Sequence, residues 1–318
     1  MSTGLGITAK CGVKTLSLWT DSWSAVDTMI PIDSEGVETT INQIEDMCLE
    51  GSAARRESAQ GIIELGGGMN GTLDYNNWDT ILTAAFGSAS SGVYTFEDNL
   101  GDVLGIEFEK NVSRWRISNA KIQRLSIEGA KGEALKIGFD IIGKTPSRSA
   151  TAFPSISLTS RSMVLFSNSS TTSYCRIGDQ SDALAEGDNQ SIESFKFEFN
   201  NNLKADDFDN VSRYALDPLR NGFRDVTFSY KLPRYAADTF QDAKANETRL
   251  QAELYFTDGT SYCKIEIPEF KIYEGANSNV TGPEILTQEI VGTCYRNVNN
   301  TPMTAITNEA RMTITTLA

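Results

Sequence analysis

Residues 114–144, RWRISNAKIQRLSIEGAKGEALKIGFDIIGK, constrain the fold of this chain more than any other stretch. Ile117, Ile122, Leu125 and Ile127 stand among polar partners on one arm, and Leu135, Ile137, Phe139 and Ile141 alternate strictly on the other. The intervening Glu128-Gly129-Ala130-Lys131-Gly132-Glu133 is turn chemistry, because glycine accepts the positive φ of a tight reversal. Period-2 alternation gives the ribbon one apolar face, with Lys136, Gly138 and Asp140 on the other.

A similar stretch appears near the C-terminus, from Tyr262 to Thr293. Ile127-Glu128-Gly129-Ala130 matches Tyr273-Glu274-Gly275-Ala276 at an offset of 273 − 127 = 146. Asp140-Ile141-Ile142-Gly143 matches Glu289-Ile290-Val291-Gly292 at an offset of 289 − 140 = 149. The upstream segments YNNWDT (from Tyr75) and YAADT (from Tyr235) pair in the same order. Self-similarity in order and spacing points to a duplicated unit, and 318 residues accommodate two domains. The polar, small-residue run Thr145–Ala152 predicts the boundary, giving domains 1–150 and 151–318.

Read in order, the chain predicts strands at Val13–Trp19, Thr28–Pro31 and Val37–Ile44, then a long excursion over Asp46–Gln60. Strand character resumes over Gly61–Tyr75, with a bulge or kink at Gly66-Gly67-Gly68. Asn76 or Asn77 is expected to cap a short helix, Trp78–Phe86, whose apolar residues recur at helical spacing and which Gly87 ends. Strands at Val93–Phe96 and Val103–Phe108 lead into the ribbon. The second half predicts strands at Ile156–Leu158, Ser162–Phe166, Ser173–Ile177, Ile192–Phe199, Gly222–Leu232, Leu250–Thr257 and Arg311–Thr316, with a helix near Ala236–Ala245. Its long polar excursion, Asn200–Asn221, falls where the first half has Asp46–Gln60.

Chemistry is sparse. No histidine occurs, which excludes histidine acid–base catalysis and histidine metal ligation. The five cysteines are odd in number and form no CxxC pair, so buried free thiols are expected. Net charge of −14 argues against a surface that grips nucleic acid or anionic membranes. The N-terminus lacks a signal-peptide pattern and no stretch matches a membrane helix, so the expectation is a soluble protein made in the cytoplasm. Asp206-Asp207-Phe208-Asp209-Asn210 offers oxygen ligands without the calcium-loop spacing and reads as a solvated loop. The triple glycine lacks a phosphate-loop context. Lys110, Arg114, Trp115 and Arg116 read as an edge of the ribbon, and Glu107/Glu109 as a solvated strand face rather than a glycosidase pair. Nothing here forms a catalytic constellation, and no cofactor or metal is expected.

The wording of GMNGTLDYNNWDTILTAAFG, YTFEDN and the ribbon resembles the N-terminal half of the major tail tube proteins of long-tailed, non-contractile bacteriophages. SIESFKFEFNNNL, DPLRNGFRDVTFSYKLPRYAADTF and the final ribbon resemble that family's second half, over about residues 55–295. The resemblance implies a mainly β chain of two tandem β-sandwich tube domains, each with a flanking helix, whose strands join an inter-subunit β-barrel. It further implies a non-enzymatic virion protein that self-assembles into homotrimeric, pseudo-sixfold rings stacked into the hollow tail tube for DNA. The expected partners are further copies of itself, a tape measure protein in the lumen, and tail tip and terminator proteins at the ends. DNA passes without specific binding and no membrane is involved. Candidate lumen acids are Glu266, Glu269, Glu284 and Glu289. Candidate ring-stacking residues on the excursions are Arg55, Arg56, Asp206, Asp207, Asp209 and Arg213, with the N-terminal arm. The competing expectation is another virion β protein, either a related tail component or a carbohydrate-binding surface module.

Overall fold

The computed structural model describes residues 9–45, 58–110, 112–149, 153–167, 173–277, 285–297 and 310–316. The first half contains β1 (Lys10–Leu16), β2 (Thr28–Ile30), β3 (Ile32–Glu35), β4 (Glu38–Glu45) and β5 (Ser58–Thr72). Helix α1 (Asp79–Phe86) follows, then β6 (Gly87–Ser90), β7 (Val93–Phe96), β8 (Val103–Glu109), β9 (Arg114–Ala130), β10 (Lys136–Gly143) and β11 (Pro146–Ser149). The second half contains β12 (Tyr174–Asp179), β13 (Ser194–Asn200), β14 (Asp225–Leu232), α2 (Thr239–Ala245), β15 (Leu250–Thr257), β16 (Ser261–Gly275), β17 (Gln288–Cys294) and β18 (Arg311–Thr316). The fold is mainly β, and every named ladder is antiparallel.

The ladders of the first half run β1–β8–β9–β10–β5, with β3 and β4 on the far side of β5. Those of the second run β12–β15–β16–β17–β14–β13, the same order with β13 in the place of β3 and β4. The irregularities coincide too. Between β9 and β10 the extra residue is Gln123; between β16 and β17 it is Tyr273, an offset of 273 − 123 = 150. The β8–β9 shift (Leu104↔Ala120 to Ile106↔Ile117) has its counterpart in β15–β16 (Leu250↔Phe270 to Ala252↔Ile267). Pro268 lies inside that second irregularity, one of the few places where a strand tolerates a residue without an amide hydrogen. The Glu-Gly-Ala match in the sequence is therefore four residues out of ladder register, because it aligned a turn signal rather than the bulges.

The apolar faces fold as alternation demands. Ile137, Phe139 and Ile141 of β10, Leu125 and Ile127 of β9, Phe195, Phe197 and Phe199 of β13, and Phe228 and Tyr230 of β14 are all buried in one continuous core. Helix α1 covers this face: Trp78 meets Phe139 edge-on at 6.3 Å, and Phe86 meets Phe199 of the second half at 4.9 Å. Gly87 ends α1 in the left-handed region (φ 99°) as expected. The start differs. No side chain caps α1; instead the buried Asp74 accepts the Asn76 and Asn77 amides at 2.9 and 2.8 Å, tightening the turn before the helix.

Two other expectations are corrected. β5 runs unbroken through its glycines beside β10. The break belongs to its other neighbour, where the chain steps from β3 to β4 at Gly36. A Cβ on Gly67 would lie 2.2 Å from the Gly36 carbonyl oxygen, so glycine permits the close crossing. Within 153–167 no regular strand forms; the segment makes isolated bridges, Asp74↔Met163 and Ala134↔Leu165. At the predicted boundary, β11 pairs with the first part of β9.

Candidate functional site

β9 is long enough to serve two sheets. Its first part lies between β8 and β11, and its last part, Arg124–Ala130, between β10 and β13. The β9–β13 ladder therefore joins the β5–β10–β9 strands of the first half to the β13–β14–β17 strands of the second edge to edge. Its seven Cα pairs run from Ser194↔Ala130 to Asn200↔Arg124.

Because registers carry across this junction, side chains form rows on the face away from the core. One row is Thr72, Lys136, Glu128, Lys196, Ser229 and Val291. The next is Asn70, Gly138, Ser126, Glu198, Thr227 and Thr293. A third continues Gly68, Asp140, Arg124, Asn200 and Asp225, and Lys231 stands opposite Glu289 at the margin. Fixed pairs hold much of this charge: Arg124 Nε–Asp140 at 2.9 Å, Lys196–Glu198 at 2.6 Å, and Lys231–Glu193 at 2.9 Å. The hydrogen bond from Lys136 to Glu133 raises the lysine's pKa above its ordinary value. Acids on these rows (Glu128, Asp140, Glu198, Asp225, Glu289) barely outnumber bases (Arg124, Lys136, Lys196, Lys231).

The four acids suggested by sequence separate. Glu289 is exposed on this polar face. Glu266 is buried and paired with Lys264 (2.7 Å) and Arg311 (2.5 Å). Burial opposes the Lys264 charge, yet Glu266 and Glu253 outweigh it and hold the ammonium above its usual pKa. Glu269 is buried against Arg249 at 3.5 Å, and Glu284 lies outside the described residues. Alternation puts Lys136 and Asp140 on the outward side but does not join them with Lys196 and Glu198 into one surface. Strand partners, which alternation does not reveal, do so.

Of the loop residues, Arg55 and Arg56 lie outside the described residues. The second excursion docks on the first half of its own chain. Arg213 Nε donates to the Gly61 carbonyl at 2.9 Å and Nη2 to Gln60 Oε1 at 3.0 Å, while the Ile63 amide donates to the Arg213 carbonyl. Buried Lys121 pairs with Asp217 at 2.5 Å. Asp207 takes the Lys204 ammonium at 2.9 Å, and Asp209 Oδ1 accepts the Val211 and Ser212 amides. Asp206 stands beside them at the hollow lined by Glu38, Thr40 and Glu64. The same excursion leaves Val211 (87%) and Leu219 (65%) exposed, as is Phe223 (94%) just beyond it.

Two chemical expectations change. Glu107 is not on a solvated face: it is fully buried between Arg114 and Arg116, with Arg116 Nη2 at 3.2 Å. Arg114 and Arg116 thus belong to a buried ion cluster inside the sheet rather than to a ribbon edge. Cys11, Cys175 and Cys263 are free and buried, while Cys48 lies outside the described residues. Among the described residues no helix is long and apolar enough to cross a membrane.

No curated protein matches the chain with significant similarity. The family model for phage tail tube proteins matches residues 4–294. With nearly the whole chain covered and a mainly β fold bearing one continuous polar sheet face, this chain belongs to the phage tail tube proteins, structural components of the virion tail.

Proposed function

We propose that the chain is one tube fold written twice, and that three copies close into a pseudo-sixfold ring whose polar sheet faces line the bore of the tail tube. The observation that carries this is the β9–β13 ladder, which joins the inner sheets of the two halves with the polar rows unbroken. The recurrence of ladder order and bulges supports the duplication. Each half brings four strands to the inner layer: β5, β10, the end of β9 and the β3–β4 segment, then β13, β14, β17 and the end of β16. Three chains then supply 3 × 8 = 24 strands. At a spacing of about 4.8 Å and a tilt of about 40°, such a barrel is roughly 45–50 Å across its backbone, room for a duplex. Closing the sheet also removes its edges.

The lumen is non-sticking because most of its charges are already paired and its net excess is slightly acidic, with Glu289 and Glu128 among the open acids. Passing phosphates find few unpaired cations that could release counterions. DNA and a tape measure protein occupy the bore, while tail tip and terminator proteins meet the tube's ends. The stacking loops, with Asp206, Asp207, Asp209 and Arg213 on one of them, form contacts between rings. The protein acts as structure, without catalysis. Contacts around a ring close while those along the axis propagate, which turns rings into a filament.

Negative-stain microscopy of concentrated protein tests this reading. Hollow filaments of uniform bore are expected. Monodisperse monomers with affinity for glycans would instead support the carbohydrate-binding alternative.

A further inference from the structure

We infer that the junction between the two halves of one chain is also the template for the junction between chains: Thr39–Ile41 of β4 in one copy pair antiparallel with Tyr273–Gly275 of β16 in the next, with Thr40 opposite Glu274. This rests on the ring reading and deepens it.

In the first half, the end of β9 is flanked on both sides, by β10 and by β13. The corresponding end of β16 is flanked by β17, and among the described residues no strand lies on its other edge. The counterpart of β13 is equally unpartnered. Aligning β14 on β5 through their ladders with β17 and β10 places Ser194–Asn200 on Ser34–Thr40, a constant offset of 160 (198 − 38 and 200 − 40 alike). Among the described residues the β3–β4 segment pairs with β5 on one side and with no strand on the other. The chain thus carries one filled junction and the two separated halves of another.

The filled junction sets the register of the empty one. Asn200 stands opposite Arg124, so Thr40 stands opposite Glu274; Phe199 opposite Leu125 becomes Thr39 opposite Gly275. The Asn201 amide donates to the Gln123 carbonyl at 2.7 Å, and by the same offsets the Ile41 amide reaches the carbonyl of Tyr273, the bulge residue of β16. Two features of the free chain fit this. Ile41 is 43% and Tyr273 52% exposed, large apolar side chains that the pairing brings together. Gly275, with φ 73°, then turns β16 away from this edge, and its carbonyl accepts Lys244 Nζ at 3.1 Å, so the open edge ends there. The contact is heterologous, so each copy offers one edge and receives on the other.

Thr40 and Glu274 occupy a non-hydrogen-bonded pair, where Cα atoms about 4.5 Å apart suit a disulfide. The full chain carrying Thr40→Cys and Glu274→Cys, oxidised mildly at filament-forming concentration, is expected to give covalent dimers and trimers on a non-reducing gel. The single variants should not, and the displaced pair Glu38→Cys/Glu274→Cys should give at least tenfold less. If microscopy shows rings or filaments of the double variant without cross-linking, or if the displaced pair cross-links equally, the pairing is wrong while the tube reading stands. If the unmodified chain forms no ring at any concentration, the tube reading fails and the pairing falls with it.

Discussion

Glu107 shows how a single side chain can be misread from its strand. Its neighbour at i+2, Glu109, suggests a solvated acidic face, but Arg116 stands directly across the ladder and Arg114 beside it, and the carboxylate is fully buried. Removing one partner of a buried ion cluster strands the others, which costs about 3–5 kcal/mol. Glu107→Ala should therefore lower the urea midpoint by that equivalent, whereas Glu289→Gln, at an exposed position, should change stability by less than about 0.5 kcal/mol. The thiols supply a pH test. Burial raises Cys11 and Cys263 well above the ordinary thiol range and pushes Cys175 up to about 12. The folded state thus keeps protons that the unfolded chain releases above about pH 8.5. The resulting stability is fully present below that pH and is lost as pH rises towards the folded values. Less urea should be needed for unfolding at pH 10 than at pH 8, and peptide mapping after brief alkylation at pH 8 should find these three cysteines unlabelled.

At the level of elements, α1 decides how the first half's sheet is covered and β5 decides where the β3–β4 segment crosses it. Gly67 has φ 143° and no room for a Cβ beneath the Gly36 carbonyl, so the β3–β4 step depends on it. Gly67→Ala should destabilise by about 1–3 kcal/mol, seen as a lower thermal midpoint by circular dichroism. Gly101→Ala, with open space around the new methyl group, is the neutral control. Helix α1 is held less by its ends than by its face. Trp78 is buried against Phe139 and donates its indole hydrogen to the Thr72 carbonyl at 3.1 Å. Trp78→Ala should cost about 3–5 kcal/mol by denaturant unfolding, the scale for deleting a large buried aromatic.

Across the whole molecule, the polar face belongs to neither half alone. Its charge is nearly balanced and largely paired, so assembled tubes should retain short DNA duplexes weakly at both 50 and 200 mM salt, judged by co-sedimentation. Reversing Glu128 and Glu289 to lysine changes the face by +2 at each position and should produce retention at low salt that disappears at high salt. Unchanged, salt-independent retention in that variant would argue that these residues do not line the bore. The excursion that carries Arg213 and Asp217 ties the second half onto β5 and β9 of the first, and the β18–β7 ladder joins the halves again. These contacts hold the two halves of one chain in a fixed relation, the one on which the proposed ring is built.

Alternation and turn chemistry by themselves determined the mainly β class, the ribbons, the helix at Trp78–Phe86 and the side of each strand that faces the core. These are local consequences of a two-residue period, a 3.6-residue period and the glycine that ends a helix. The wording of the motifs carried the family. Tertiary structure alone decided which strand lies beside which, and with it the burial of Glu107, Glu266 and Glu269 and the polar rows in which Glu289 joins Lys231, Lys196 and Lys136. The correspondence between the two halves' ladders also came from strand pairing, because bulges at Gln123 and Tyr273 are defined by hydrogen-bonded partners and leave no mark in residue type. A strand's pattern says which way its side chains point; only its neighbours say what they meet.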